Sequence, residues 1–179
     1  MNHFKEAFKR TMLIEGEGQR TNRTFDPGGD TYSGISRVYW PEWEGWDYLD
    51  KGYKKTADKL VIDFYRVNFW NRMQGGKLAE MAPELAYEVF DTAVHTGVHQ
   101  AVKLMQVGYN VACGVMNGLL DDGLCGTRTL LTINKYLNTR PGSPELNLEI
   151  LLNCMNGEQY VFYKNNPNLK RNRGWLRRV

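Results

Sequence analysis

From Leu85 to Val107 the apolar residues recur at helical spacing, with one break at Gly97. Leu85, Ala86, Val89, Phe90, Ala93 and Val94 form a stripe behind Pro83, which suits the first turn of a helix. After Gly97, Ala101, Val102, Leu104, Met105 and Val107 form a second stripe. Two amphipathic helices joined by a single glycine pack as a hairpin, since neither can leave its apolar face in water. The same period runs through Phe4, Ala7, Phe8, Met12 and Ile14, and through Ala57, Leu60, Val61, Phe64 and Val67 within Lys55–Trp70. It returns over 129–137 and over 145–155, with 159–164 extending the last helix. Pro141-Gly142-Ser143-Pro144 separates these two, and Asn117-Gly118 and Asp122-Gly123 mark 114–126 as loop. The expected fold is mainly α, with no internal repeat and no low-complexity linker.

The first helix carries a carboxylic acid near its end. Glu15 follows Phe8 by seven residues and Phe4 by eleven, which places it close to the apolar stripe. Desolvation there raises a carboxyl pKa, and the negative end of the helix dipole acts in the same direction. Gly16 is a natural stop. Next comes Asp26-Pro27-Gly28-Gly29-Asp30-Thr31-Tyr32-Ser33-Gly34-Ile35-Ser36. Asp-Pro-Gly-Gly is strong turn chemistry, and a short extended segment starts near Thr31, so a small loop or β-hairpin is expected after the first helix. The hydroxyls and carboxylates of Asp26, Asp30, Thr31, Tyr32 and Ser33 are the groups that hold sugars. A neutral acid facing such a surface is what glycosidic cleavage requires. An ordinary helix end followed by a surface hairpin is the alternative that these residues alone leave open.

In order, Glu15-Gly16, Asp26-Pro27-Gly28-Gly29-Asp30-Thr31 and Gly34-Ile35-Ser36 resemble the N-terminal signature of glycoside hydrolase family 108. Phe64-Tyr65, Phe69-Trp70 and Val89-Phe90-Asp91-Thr92-Ala93-Val94-His95-Thr96-Gly97 resemble its middle segment. Gln106, Asp122-Gly123-Leu124-Cys125-Gly126, Thr129 and the ending Gly174–Val179 resemble its C-terminal half. The chain departs from the family in reading Glu15-Gly16-Glu17-Gly18 where Glu-Gly-Gly-Tyr is common, and His95 where Asn is usual. The resemblance implies a lysozyme-like helical fold and the activity of phage endolysins and related bacterial N-acetylmuramidases. It implies a catalytic half over 1–95 and a peptidoglycan-binding-type half over 96–179, packed as one globular unit. Glu15 is then the general acid for the β-1,4 bond between N-acetylmuramic acid and N-acetylglucosamine. Asp30 is the first choice for a second carboxylate, with Asp26 or Glu17 as alternatives. Asp26, Thr31, Tyr32, Ser33 and His95 would meet substrate. A lytic transglycosylase, or a non-catalytic peptidoglycan-binding or secretion-accessory protein, would use the same parts.

Charge and composition narrow the partners. The net charge is +3, which as a whole gives no reason to expect a nucleic-acid ligand. Lys170, Arg171, Arg173, Arg177 and Arg178 crowd the end, a cluster suited to an anionic surface such as the cell envelope. No run of about 20 apolar residues suggests a membrane span. Met1–Glu6 is polar and leads straight into the first helix, so synthesis in the cytoplasm without a signal peptide is expected. Peptidoglycan strands are the expected partner, reached after release or export, with a holin or another export device as the route. Cys113, Cys125 and Cys154 fit reduced thiols better than a disulfide framework. His95 and His99 are four apart, but Gly97 interrupts them and no third ligand is near, so neither a metal nor a cofactor is expected. Tyr39, Trp40, Trp43, Trp46 and Tyr48 are expected to cap the core or anchor a long connection rather than line a cleft.

Overall fold

The computed structural model describes residues 2–15, 19–22, 29–114, 118–167 and 176, and no side chain at 14, 15 or 22. The chain divides into two compact units, residues 1–68 and 69–179. Position 95, the expected end of a catalytic half, falls inside the second unit, within a helix that packs on its successor across Gly97.

The first unit begins with α1, His3–Glu15. Its buried face is Phe4, Ala7, Phe8, Thr11 and Met12, which holds four residues of the predicted stripe and adds Thr11; the side chain of Ile14 lies outside the described residues. Arg10 and Glu6 pair one turn apart on the outer face at 2.9 Å. Three short strands follow, β1 (Arg20–Asn22), β2 (Asp30–Tyr32) and β3 (Ile35–Ser36), in one antiparallel sheet of order β1-β2-β3. Arg20 stands opposite Tyr32, Asn22 opposite Asp30, and Tyr32 opposite Ile35. The β2–β3 turn is Ser33-Gly34, both at positive φ (47° and 80°). Two helices complete the unit, α2 (Gly45–Asp50) and α3 (Lys54–Tyr65), packed on each other. From Arg66 to Trp70 the chain winds on as a π-helical turn, so the expected Lys55–Trp70 helix changes its pitch near the end.

α3 serves as the spine of this unit. Tyr65 stacks obliquely on Phe8 of α1, ring centroids 5.6 Å apart. Its hydroxyl donates to the Ser33 carbonyl at 2.8 Å. Near the other end of α3, Asp58 accepts a 2.5 Å hydrogen bond from the Tyr32 hydroxyl. One helix thus fixes both the strand and the turn that follow α1.

The second unit is helical throughout its described regular elements: α4 (Gly75–Met81), α5 (Pro83–Thr96), α6 (Val98–Cys113), α7 (Thr127–Thr139) and α8 (Pro144–Lys164). The expected break at Gly97 is real, with φ at 88°. α6 and α8 make the closest approach. A Cβ on Gly108 would come within 2.8 Å of the Met155 backbone, so the crossing depends on the missing side chain. α8 starts as its residues dictate. Pro144 occupies the first turn and the Ser143 hydroxyl accepts the Leu146 N–H. The expected helix over 145–155 and its extension over 159–164 form one helix of 21 residues.

Three buried amides tie this unit together. Gln106 donates to Asp122 Oδ1 (2.9 Å) and the Leu124 carbonyl (3.2 Å), and accepts the Gly123 N–H (2.8 Å). Asn147 donates to the carbonyls of Leu137 and Arg140. Gln159 donates to Thr92 Oγ1 and to the Tyr163 hydroxyl. Each satisfies backbone or hydroxyl groups that would be costly to leave unpaired inside. The cysteines at 113, 125 and 154 are free thiols, and burial pushes Cys125 up to about 11.

The whole is mainly α with a small antiparallel sheet after the first helix, the class the sequence leads one to expect. β1, α2 and α4 were not expected. Among the described residues no helix is long and apolar enough to cross a membrane.

Candidate active site

Glu15 is the last residue of α1. Glu17, Asp26 and the basic cluster at 170–178 lie outside the described residues, as does the Glu15 side chain. What is visible is the scaffold around the helix end and the sheet.

Asp30 opens β2 at the centre of a four-charge cluster. Arg20 of β1 grips it with Nε on Oδ1 at 2.9 Å and a terminal nitrogen on Oδ2 at 2.6 Å. Arg37, just after β3, approaches Oδ2 at 3.5 Å and holds Asp50 at 2.7 Å. Arg20 also reaches Asp50 at 3.2 Å. Arg20 and Asp30 are diagonal neighbours across the β1–β2 pair, within reach of long side chains. The hydrogen bonds from Arg20 are the main reason that the Asp30 carboxyl is held below its ordinary value of 3.8. Arg37 does the same for the exposed Asp50. Asp30 is therefore ionised, with both oxygens engaged, a carboxylate suited to holding charge and backbone in place.

Strand alternation decides the next residues. Tyr32 shares a face with Asp30 and is 1% exposed, its hydroxyl committed to Asp58. Ser33 is equally buried, with its N–H on the Gln19 carbonyl at 2.9 Å. The expectation that these two hydroxyl residues face a sugar gives way to an inward role. The turn is tucked under α3, so its polar groups are used by the fold. Thr31 points to the other face and is half-buried, its hydroxyl donating to the Gly29 carbonyl at 3.3 Å. His95 lies in the second unit, in the last turn of α5, with Nδ1 3.1 Å from the Tyr163 hydroxyl and its ring edge-on to that tyrosine. Tyr163 in turn accepts from Gln159. The histidine is thus part of a buried polar chain joining α5 and α8.

The aromatic segment divides. Trp46 is core, 2% exposed, with its indole N–H on the Trp40 carbonyl at 2.8 Å and the Arg37 guanidinium over its ring. Tyr39, Trp40 and Trp43, with Phe64 and Asn68 of the helix opposite, line an open pocket of about 390 Å³. Glu42 and Glu44 sit at its wall. Trp40 meets Phe64 edge-on at 4.9 Å, and Trp43 meets Trp46 edge-on at 5.0 Å. The expectation that the whole cluster caps the core holds for Trp46 and fails for Tyr39 and Trp40. Aromatic faces beside carboxylates and an amide are a lining that accepts a polar ring with an apolar face.

Sequence reasoning did not single out Arg20, Arg37, Asp50 or Asp58, and named Tyr65 only within the family's middle segment. Charge alternation around the Asp-Pro-Gly-Gly turn was the one available signal for the arginines. Pairing them with particular aspartates requires the strand register, which three-residue strands do not announce.

Residues 10–97 match the family described as Glycosyl hydrolase 108. Ten chains of solved structures match the fold. Among them is the structure of Brucella abortus SagA, 24% identical, covering 98% of this chain and 88% of that one at a TM-score of 0.70. No curated protein matches the sequence.

Proposed function

This chain belongs to the glycosyl hydrolase 108 family through residues 10–97, and on that premise we propose that it is a peptidoglycan hydrolase cleaving the β-1,4 bond between N-acetylmuramic acid and N-acetylglucosamine. Glu15 is the general acid that protonates the glycosidic oxygen as an oxocarbenium-like transition state develops. The observation that carries this assignment is that Glu15, the last residue of α1, falls within the residues that match the family and stands where its N-terminal signature has the acid. The negative end of a helix dipole disfavours an ionised carboxyl there.

The remaining roles follow from what is free to act. Asp30 is the second carboxylate in an electrostatic sense: ionised, fixed by Arg20 and Arg37, and placed in the sheet that follows the acid. Its depressed pKa makes it a poor proton acceptor, so activation of water is assigned to Asp26 or Glu17. Thr31 is the hydroxyl of the strand assigned to substrate, with Tyr32 and Ser33 holding it from behind. The pocket of Tyr39, Trp40 and Trp43 is assigned to stacking on a sugar ring of the strand.

The test is digestion of purified peptidoglycan by the full chain, followed by product masses. Fragments that have gained water and carry reducing N-acetylmuramic acid ends support the hydrolase. Anhydro ends would identify a lytic transglycosylase. Binding to sacculi without release of fragments would reassign the protein to a non-catalytic role.

A further inference from the structure

The second unit holds an open pocket of about 470 Å³ that the proposed hydrolysis does not use. It lies where the C-terminal ends of α6 and α7 meet the turn leading to α8. Its size falls within the roughly 300–1,000 Å³ usual for small-ligand sites. Its charged lining residues are Lys135 and Arg140, and no carboxylate lines it among the described residues. Tyr109 and Tyr136 form one corner, their rings 5.5 Å apart and steeply inclined. Leu131 and Pro141 supply apolar wall.

Basic residues at helix C-termini often do no more than offset the helix dipole. Here much of that task is already met by other groups. The Lys135 carbonyl accepts the Thr139 hydroxyl, and the Tyr136 carbonyl accepts the Arg140 N–H. The carbonyls of Leu137 and Arg140 accept from the buried Asn147. The Arg140 guanidinium spends two nitrogens on the Cys113 carbonyl at 3.3 Å each, which orients it and leaves further N–H donors. Backbone and side chain of Arg140 are thus both fixed, and the ammonium of Lys135 makes no ion pair among the described residues. Two cations therefore line a pocket with no counter-charge among the described residues, beside two tyrosine rings and a small apolar wall.

We propose that this pocket binds a carboxylate at the end of a short apolar peptide. If the protein acts on peptidoglycan, as proposed above, the ligand is the D-alanyl terminus of a peptide stem. Arg140 and Lys135 take the carboxylate, and Leu131, Pro141 and the tyrosine rings take the methyl groups. The second unit would then hold the substrate by its peptide while the first acts on its glycan.

Calorimetric titration of the full chain tests this with three probes: diacetyl-lysyl-D-alanyl-D-alanine, its C-terminal amide, and inorganic phosphate. The free acid should bind about tenfold more tightly than the amide, the loss expected when a charge-assisted contact is removed. Lys135→Gln should weaken the acid by a similar factor at an unchanged melting temperature, and Arg140→Lys should retain part of the affinity. Glu15→Gln should bind the peptide as the wild type does, so loss of hydrolysis and loss of this site are read separately. The proposal is overturned if acid and amide bind alike, if no binding appears at millimolar peptide, or if Lys135→Gln changes nothing. Displacement of the peptide by equimolar phosphate would overturn it too, marking a general anion site.

Discussion

The first unit pins its hairpin with four charged side chains, Arg20, Asp30, Arg37 and Asp50, whereas the second ties its loops and helices with the neutral amides of Gln106, Asn147 and Gln159. Exposure accounts for the difference. The arginines and Asp50 keep 39–43% of their side-chain surface, so water shares the cost of bringing the charges together. The three amides are at most 1% exposed, where an ion would be expensive and a neutral amide satisfies the same backbone groups. One consequence is functional. The clamp keeps two ionised carboxylates at the sheet that follows α1 in the chain, whereas the second unit sets two cations, Lys135 and Arg140, at an open pocket.

The contrast can be broken at several points. The largest effect is expected at the helix crossing of the second unit. Gly108→Val would drive Cβ into the Met155 backbone, 2.8 Å away, costing about 3 kcal/mol in thermal or denaturant unfolding. Gln106→Leu comes next, at about 2 kcal/mol, because the Gly123 N–H and the Leu124 carbonyl lose a buried partner. Hydrogen exchange should rise first at 122–126, and an unchanged rate there would show that Gln106 does not hold the loop. Asp30→Asn should cost about 0.5–1 kcal/mol, since it weakens a bidentate pair whose arginine is shared with water.

The clamp also has a sign with pH. Asp30 and Asp50 are held below 3.8 in the folded chain. Their stabilisation is therefore complete above that ordinary value and is lost as pH falls through their lowered folded values. Below 3.8 the unfolded chain binds more protons than the folded one, so acid favours unfolding. Asp30→Asn should flatten that limb of the stability curve, and an acid limb identical to wild type would refute the clamp. The smallest effect on stability sharpens the comparison at the aromatic pocket. Trp40, 36% exposed, should tolerate Ala with little loss of stability. Its KM for peptidoglycan should rise several-fold, about 1 kcal/mol, at nearly constant kcat. A fall in kcat alone would remove the sugar-stacking role.

The long helices were legible because their apolar period is long enough to exceed chance: α1, α5 and α6 match their stripes, and Gly97 marks the one break between the last two. β1 was not, because Arg20-Thr21-Asn22 is polar throughout and gains its strand only by pairing with β2. α2 and α4 are seven residues or fewer, and tertiary contacts hold them, Trp46 in the core and the Trp70 ring over Gly75. At the site, residue type was a good guide to location and a poor guide to direction. Thr31, Tyr32 and Ser33 are consecutive hydroxyl residues, yet β alternation and the turn under α3 send the last two inward. The Asp30 clamp needed the register, and the split of the tryptophans needed the pocket. His95, which departs from the family's usual Asn, is named among the substrate contacts, and its place is set by Tyr163, far along the chain.

The account rests on Glu15 donating a proton. Its most direct test is the turnover of purified peptidoglycan by Glu15→Gln, with circular dichroism confirming the wild-type helical content. Loss of the general acid predicts a rate lower by about 10²–10⁴, with binding to the glycan retained. Turnover at the wild-type rate by a correctly folded Glu15→Gln would contradict it.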